Sequence, residues 1–185
     1  HYALGFHATG TLGVVGAAAA YAHLLQLPAA QLRTVLSIAA SSASGLRANF
    51  GTDTKPLHVG FAASAAIRAV ALAQAGATAS DDALAGFAHA FSGGARLELP
   101  RWDASTPWAV LVPGFEIKRY PSCYLTHRMI AGIQRLREHR PPQAGDAPAT
   151  IDVLFPHGGT APLKHPRPDT GLQAKFSAPY CAAAA

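Results

Sequence analysis

A lysine and a histidine three residues apart, Lys55 and His58, sit in the run Asn49-Phe50-Gly51-Thr52-Asp53-Thr54-Lys55-Pro56-Leu57-His58, between two alanine-rich helical patterns. Only 14% of the 185 residues are charged, so a lysine placed between apolar helices calls for a reason. An ammonium group pairs with carboxylates. A histidine titrating near neutrality can remove a proton beside a carboxylate or carbonyl, or protonate a leaving hydroxyl. A neighbouring cation stabilises the enolate-like charge that results. His7 lies in a glycine-punctuated loop with His1, Tyr2 and Phe6; Lys118 ends a strand-like stretch, and Cys123 and His127 stand four apart. Together these residues read as an anion site with candidate bases. Each has a plain alternative: a polar inter-helix loop with its lysine in water, a hydrogen-bonded helix histidine, or a small core cysteine.

Other chemistries fit less well. Cys123 and His127 on one helix face would be half a zinc site, but no second pair completes it. Two cysteines are too few for a disulfide framework or an iron–sulfur cluster, and their number points to free thiols in a reducing compartment. Gly10, Gly13 and Gly16 resemble a dinucleotide loop without the strand that should precede it, and no nucleophile elbow is present. The formal charge of +5 is scattered except at Lys118-Arg119 and residues 135–140, with no interleaving of aromatic and basic residues to suggest nucleic acid. The most apolar run, residues 12–27, is broken by Gly13, Gly16, His23 and Gln26 and reads as a buried helix, with no membrane span expected.

The elements that must position these residues follow from periodicity and punctuation. Thr9 or Thr11 is the expected cap of a helix reaching about Leu27. Pro28 opens a second, with Leu32, Val35, Leu36 and Ala39 inward. A third runs from about Pro56 to Ala75 and stops at Gly76, with Val59, Ala62, Ala63, Ala66, Ile67, Val70 and Ala71 as its apolar face. A fourth follows residues 80–82, turns Leu84, Phe87, Ala88 and Phe91 inward and ends at Gly93. Residues 95–113, with their prolines and both tryptophans, read as a linker with short extended pieces. Beyond it, residues 115–120 and 151–155 alternate as strands do. Between them, Pro121-Ser122 opens a helix with Leu125, Met129, Ile130, Ile133 and Leu136 at helical spacing. Residues 140–149 form a loop, and Asp169 or Thr170 caps a last helix. The expected architecture is mainly α: an all-helical domain over 1–94, the linker, and a smaller α+β domain over 114–185.

Five phrases, in this order and spacing, resemble the MmgE/PrpD family, which includes 2-methylcitrate dehydratase and cis-aconitate decarboxylase. They are Gly5-Phe6-His7-Ala8-Thr9-Gly10-Thr11-Leu12-Gly13; Ala39-Ala40-Ser41 through Gly45-Leu46; Asn49-Phe50-Gly51-Thr52 with Thr54-Lys55-Pro56-Leu57-His58-Val59-Gly60; Lys118-Arg119-Tyr120-Pro121-Ser122-Cys123 with Thr126-His127; and Leu172-Gln173-Ala174-Lys175-Phe176-Ser177. The resemblance implies a cofactor-independent, metal-free lyase that dehydrates a small tricarboxylate such as 2-methylcitrate. It also suggests a homodimer; the residue pattern itself leads us to expect a cytoplasmic protein with no nucleic-acid or membrane partner. It places catalytic roles on His7, Lys55 and Lys118, and substrate contacts on His58, Cys123, His127 and Thr54. Cys123 stands where the decarboxylase branch carries a histidine, which argues against decarboxylation. An isomerase branch and a non-catalytic binding module of the same fold are the alternatives. The family chain is more than twice as long, so segments beyond both ends are expected to complete the site and cover its apolar faces.

Overall fold

Alanine decides how the helices meet. The computed structural model describes residues 1–95, 103, 105–141, 143 and 150–185. Its main helices are α1 (Ala8–Leu24), α2 (Ala29–Ser41), α3 (Thr54–Gln74), α4 (Ala83–Ser92), α5 (His127–His139), α6 (Gly171–Ala174) and α7 (Ala178–Ala183). The protein is mainly helical and divides into two compact units, one of His1–Asn49 with Asp53–Arg101, the other of Phe50–Thr52 with Trp102–Ala185.

In the first unit α1, α2 and α3 pack on one another. Val14, Ala18 and Ala22 of α1 and Val35 and Ala39 of α2 meet Ala62, Ala65, Ala66, Ala69, Val70 and Ala73 of α3. So many methyl side chains let the helix backbones approach closely. The expected inward face of α3 holds in part: Ala62, Ala66 and Val70 are buried as expected, together with Ala65, Ala69 and Ala73, but Val59 and Ile67 are more than half exposed, and Ala63 and Ala71 also face outward. By length and composition alone α3 is apolar enough to cross a bilayer, but its buried alanine stripe is that of a core helix.

Helix ends follow local chemistry. α2 begins after Pro28 as expected. Pro56 falls in the first turn of α3, where its missing N–H is no loss. Gly76, at φ +89°, follows the end of α3, and Gly93 caps α4 in the left-handed region at φ +71°. Leu84, Phe87, Ala88 and Phe91 form the sheltered side of α4, half-buried. At α1 the expectation fails. The helix starts at Ala8 with no side-chain cap, because Thr11 is wholly buried and its hydroxyl donates back to the His7 carbonyl at 3.2 Å.

The second unit departs further from expectation. The described residues contain no strand, so the α+β domain is replaced by helices and extended chain. Residues 151–155 do alternate, but Val153 and Phe155 pack against the core of Met129, Ile130, Cys181 and Ala185, while Leu154 is 97% exposed. A helix, not a neighbouring strand, receives the buried side chains. Residues 115–118 belong to no strand, with Ile117 94% exposed. Of the expected linker, 96–102 and 104 lie outside the described residues, and residues 108–112 form a hydrogen-bonded turn, Leu111 N–H to Trp108 O at 2.8 Å, instead of an extended piece. Positions 142 and 144–149 of the expected loop also lie outside them. Thr170 caps α6, accepting from the Gln173 N–H at 3.2 Å, and Ser177 then caps a separate α7.

Gly10 of α1 is where the first unit is least tolerant. A Cβ there would lie 2.1 Å from the Ser44 carbonyl oxygen and 3.1 Å from Gly45 Cα, both backbone atoms that cannot swing aside. Gly10→Ala is expected to destabilise the chain by about 1–3 kcal/mol. Gly16→Ala, six residues along the same helix with open space at its Cβ, should stabilise it by about 0.5–1 kcal/mol. Urea midpoints of both variants check the pair, and a neutral Gly10→Ala would show that the two backbones do not meet.

Candidate active site

Two loops cross to bring His7 into place. Residues 5–10 run against residues 44–47. Phe6 and Leu46 form an antiparallel bridge, the His7 N–H donates to Gly45 O at 2.9 Å, Arg47 N–H to Gly5 O at 2.8 Å, and Ser44 N–H to Gly10 O at 3.1 Å. Gly10 and Gly45 sit at the crossing, with Gly45 at φ +143°. Outside it, the Arg47 guanidinium stacks over the Tyr2 ring and donates to the Tyr2 carbonyl. His1 reaches the Thr11 hydroxyl at 2.6 Å, beside the paired rings of Phe6 and Phe91.

The second wall is the start of α3. Lys55 and His58 are three apart on this helix and so share a face. His58 is 4% exposed, and its Nδ1 lies 2.8 Å from the Nδ1 of His7, with ring centroids 5.1 Å apart. One proton lies between those two nitrogens. Burial first, then the Lys55 charge and then His58, lower the His7 pKa to about 4; burial and Lys55 lower that of His58 as well. Both rings are neutral at neutral pH. Thr54 and Lys55 are half-buried in the first turn of α3, directly after its N-cap residue Asp53. A cation at the positive end of a helix opposes the dipole. A bound anion removes that conflict.

Of the sequence-derived candidates, His7, Thr54, Lys55 and His58 thus belong to the first unit, where the fold joins His7 to His58. Lys118, Cys123 and His127 belong to the second. There the Lys118 ammonium donates to Ser122 O at 2.9 Å. Cys123 precedes a 3-10 turn, Tyr124–Thr126, and does not share a helix face with His127. Its carbonyl takes both the N–H and the hydroxyl of Thr126, at 2.9 and 2.7 Å, which tightens the chain before α5 begins. His127 opens α5 between the rings of Tyr120 and Tyr124, and its buried Nε2 has no hydrogen-bond partner among the described residues. Cys181 is buried and its thiol is pushed up by that burial, as befits an unreactive core cysteine. No three His, Cys, Asp or Glu among the described residues are grouped as metal ligands. The motif reading left out Gly10, Ser44 and Gly45 as the scaffold of His7; two glycines flanking polar loops were the available signal.

Because the unfolded chain protonates His7 near pH 6.5 and the folded chain only near 4, folding favours the neutral ring. The His7 contribution to stability is complete above pH 6.5, erodes as pH falls from 6.5 to 4, and levels off below. A ring-proton titration of the labelled chain should show His7 near 4. In Lys55→Met it should move part of the way back to 6.5, the effects of burial and of His58 remaining. An unmoved His7 would mean that it does not feel the lysine.

The profile of the MmgE/PrpD N-terminal domain matches residues 1–100. Cis-aconitate decarboxylase of Homo sapiens is 34% identical over 137 residues, which make up 72% of this chain and 28% of the human protein. Cis-aconitate decarboxylase of Mus musculus is 30% identical over 187 aligned positions, covering 97% of this chain and 38% of the mouse protein. The chain therefore spans well under half the length of both relatives. A domain profile over 100 of its 185 residues, covering the loop crossing and all of α1 to α4, shows that the chain belongs to the MmgE/PrpD family.

Proposed function

We propose that this chain carries the proton-transfer and carboxylate-binding groups of a lyase that dehydrates a small hydroxy polycarboxylate such as 2-methylcitrate. The observation that supports this best is the neutral His7–His58 pair held beside Lys55 at the start of α3. Lys55 and the helix terminus receive a substrate carboxylate. Neutral His7 takes the proton from the carbon next to a carboxylate. The electron pair forms the carbon–carbon double bond, and the hydroxyl on the neighbouring carbon leaves as water with the proton that the His7 imidazolium returns. The lysine charge offsets the negative charge that gathers on the carboxylate as the C–H bond breaks.

The two decarboxylase relatives support a second reading, loss of carbon dioxide from cis-aconitate. There the carbon–carbon bond breaks, and the resulting carbanion needs a proton supplied to it. The low pKa of His7 separates the two readings. At neutral pH the ring is an available base and a scarce acid, which favours dehydration. Cys123, where the resemblance to the decarboxylase branch calls for a histidine, stands on the same side.

Two outcomes are expected. Lys55→Met weakens tricarboxylate binding by about 10- to 100-fold, the scale of a hydrogen bond to a charged group, and His7→Asn lowers kcat/KM by about 10²- to 10⁴-fold, the scale of a general base. Product spectra with 2-methylcitrate and with cis-aconitate, run in parallel, identify which bond breaks; full activity in both variants would remove the proposal. The pH profile is the second test. A base with a pKa of about 4 gives a kcat/KM that is level at neutral pH and falls below about pH 4. A rate that instead declines steadily from pH 4 upward would identify His7 as an acid and favour decarboxylation.

A further inference from the structure

We infer that His58 is a positioning residue, which accepts a hydrogen bond from His7 Nδ1–H and thereby leaves the lone pair of His7 on Nε2. The inference rests on the reading of His7 as the base, and it names what makes that ring a base at the correct atom.

The geometry carries it. A neutral imidazole has one protonated and one unprotonated nitrogen, and which is which depends on what each faces. The His7 and His58 rings face each other Nδ1 to Nδ1 at 2.8 Å, so one of them donates and the other accepts. If His58 donates, His7 is protonated on Nε2 and cannot take a proton there. If His7 donates, its Nε2 carries the lone pair. His58 is too enclosed, at 4% exposed, to exchange partners readily. Its Nδ1 and Cγ lie 3.5 and 3.6 Å from the Cβ position of Gly45, and the Gly45 carbonyl takes the His7 N–H. The same residue therefore fixes the backbone of one histidine and flanks the ring of the other. A base at Nε2 of His7 therefore requires His58 to be the acceptor. Asp and Glu orient catalytic histidines in the same way, through a hydrogen bond to the nitrogen opposite the reacting one. Here a second, buried histidine does so without adding a negative charge to a site that receives carboxylates.

Two-bond proton–nitrogen spectra of the ¹⁵N-histidine-labelled 185-residue chain at neutral pH read the tautomers directly. His7 should be protonated on Nδ1 and His58 on Nε2. His58→Asn puts an amide oxygen near the lost Nδ1 and should keep His7 in that form. His58→Leu removes the acceptor and should return His7 to the Nε2–H form that imidazoles ordinarily favour in water. A wild-type His7 protonated on Nε2, or a His7 tautomer indifferent to His58→Leu, overturns the inference; if His58→Leu does not fold, the wild-type spectrum and His58→Asn still decide. In turnover, His58→Leu should lower kcat by about 10²-fold, the scale of a general base, with KM changed less than twofold, and His58→Asn should recover most of the loss. The failures are distinguishable: the expected tautomers in a chain that neither binds nor converts tricarboxylates would retire the lyase reading while leaving the role of His58 intact.

Discussion

The contact between Gly10 and the Ser44–Gly45 backbone is the constraint on which the site depends. No side chain larger than hydrogen fits between the two loops at Gly10, and Ser44 N–H closes the crossing on the Gly10 carbonyl. One residue further, the Gly45 carbonyl takes the His7 N–H. His7 is thus anchored by main chain at the mouth of α1, where no side-chain cap is present. The histidine pairing is a consequence: α3 lies against α1 through alanines, and that close approach carries His58 to within hydrogen-bond distance of a ring 51 positions earlier in the sequence.

Alanine also explains what was legible and what was not. Helix existence, the stops at Gly76 and Gly93, the entry at Pro28 and the cap at Thr170 follow from local chemistry, and local chemistry is written residue by residue. The inward face of α3 is not local. That helix is apolar on nearly every side, so periodicity offers several faces and sequence alone selects the one with the larger side chains. Packing keeps Ala62, Ala66 and Val70 of that face and adds Ala65, Ala69 and Ala73, because small residues at a helix contact bring more of the chain into van der Waals range, while Val59 and Ile67 remain outside. The strand reading at residues 151–155 failed for a related reason. A period of two shows that alternate side chains are buried; whether a strand or a helix receives them depends on what lies across, and here α5 does.

The candidate site was legible as a set of residue types and not as a geometry. His7, Lys55 and His58 could be named from their motifs, and nothing in those motifs required the two rings to touch. Thr11 illustrates the same limit. Its hydroxyl marks it as a helix cap, yet it is wholly buried and used to tie the first turn back to His7. Polar residues near helix starts have several backbone partners within reach, and only the arrival of the rest of the fold decides among them.

Electrostatics gives the arrangement its direction. Lys55 sits in the first turn of a 21-residue helix, two residues after its N-cap Asp53 and where the dipole is positive. Two histidines beside it are kept neutral by burial and by that lysine. Lys55 therefore stands beside two rings that add no charge at neutral pH. On the proposed reading a polycarboxylate would change that balance: Lys55 and the helix terminus would attract it, and its negative charge would raise the proton affinity of the imidazole next to it. On that reading the ligand itself would confer the basicity that His7 lacks in the free chain, and a ring that stays neutral until then would act as a base once the ligand is bound.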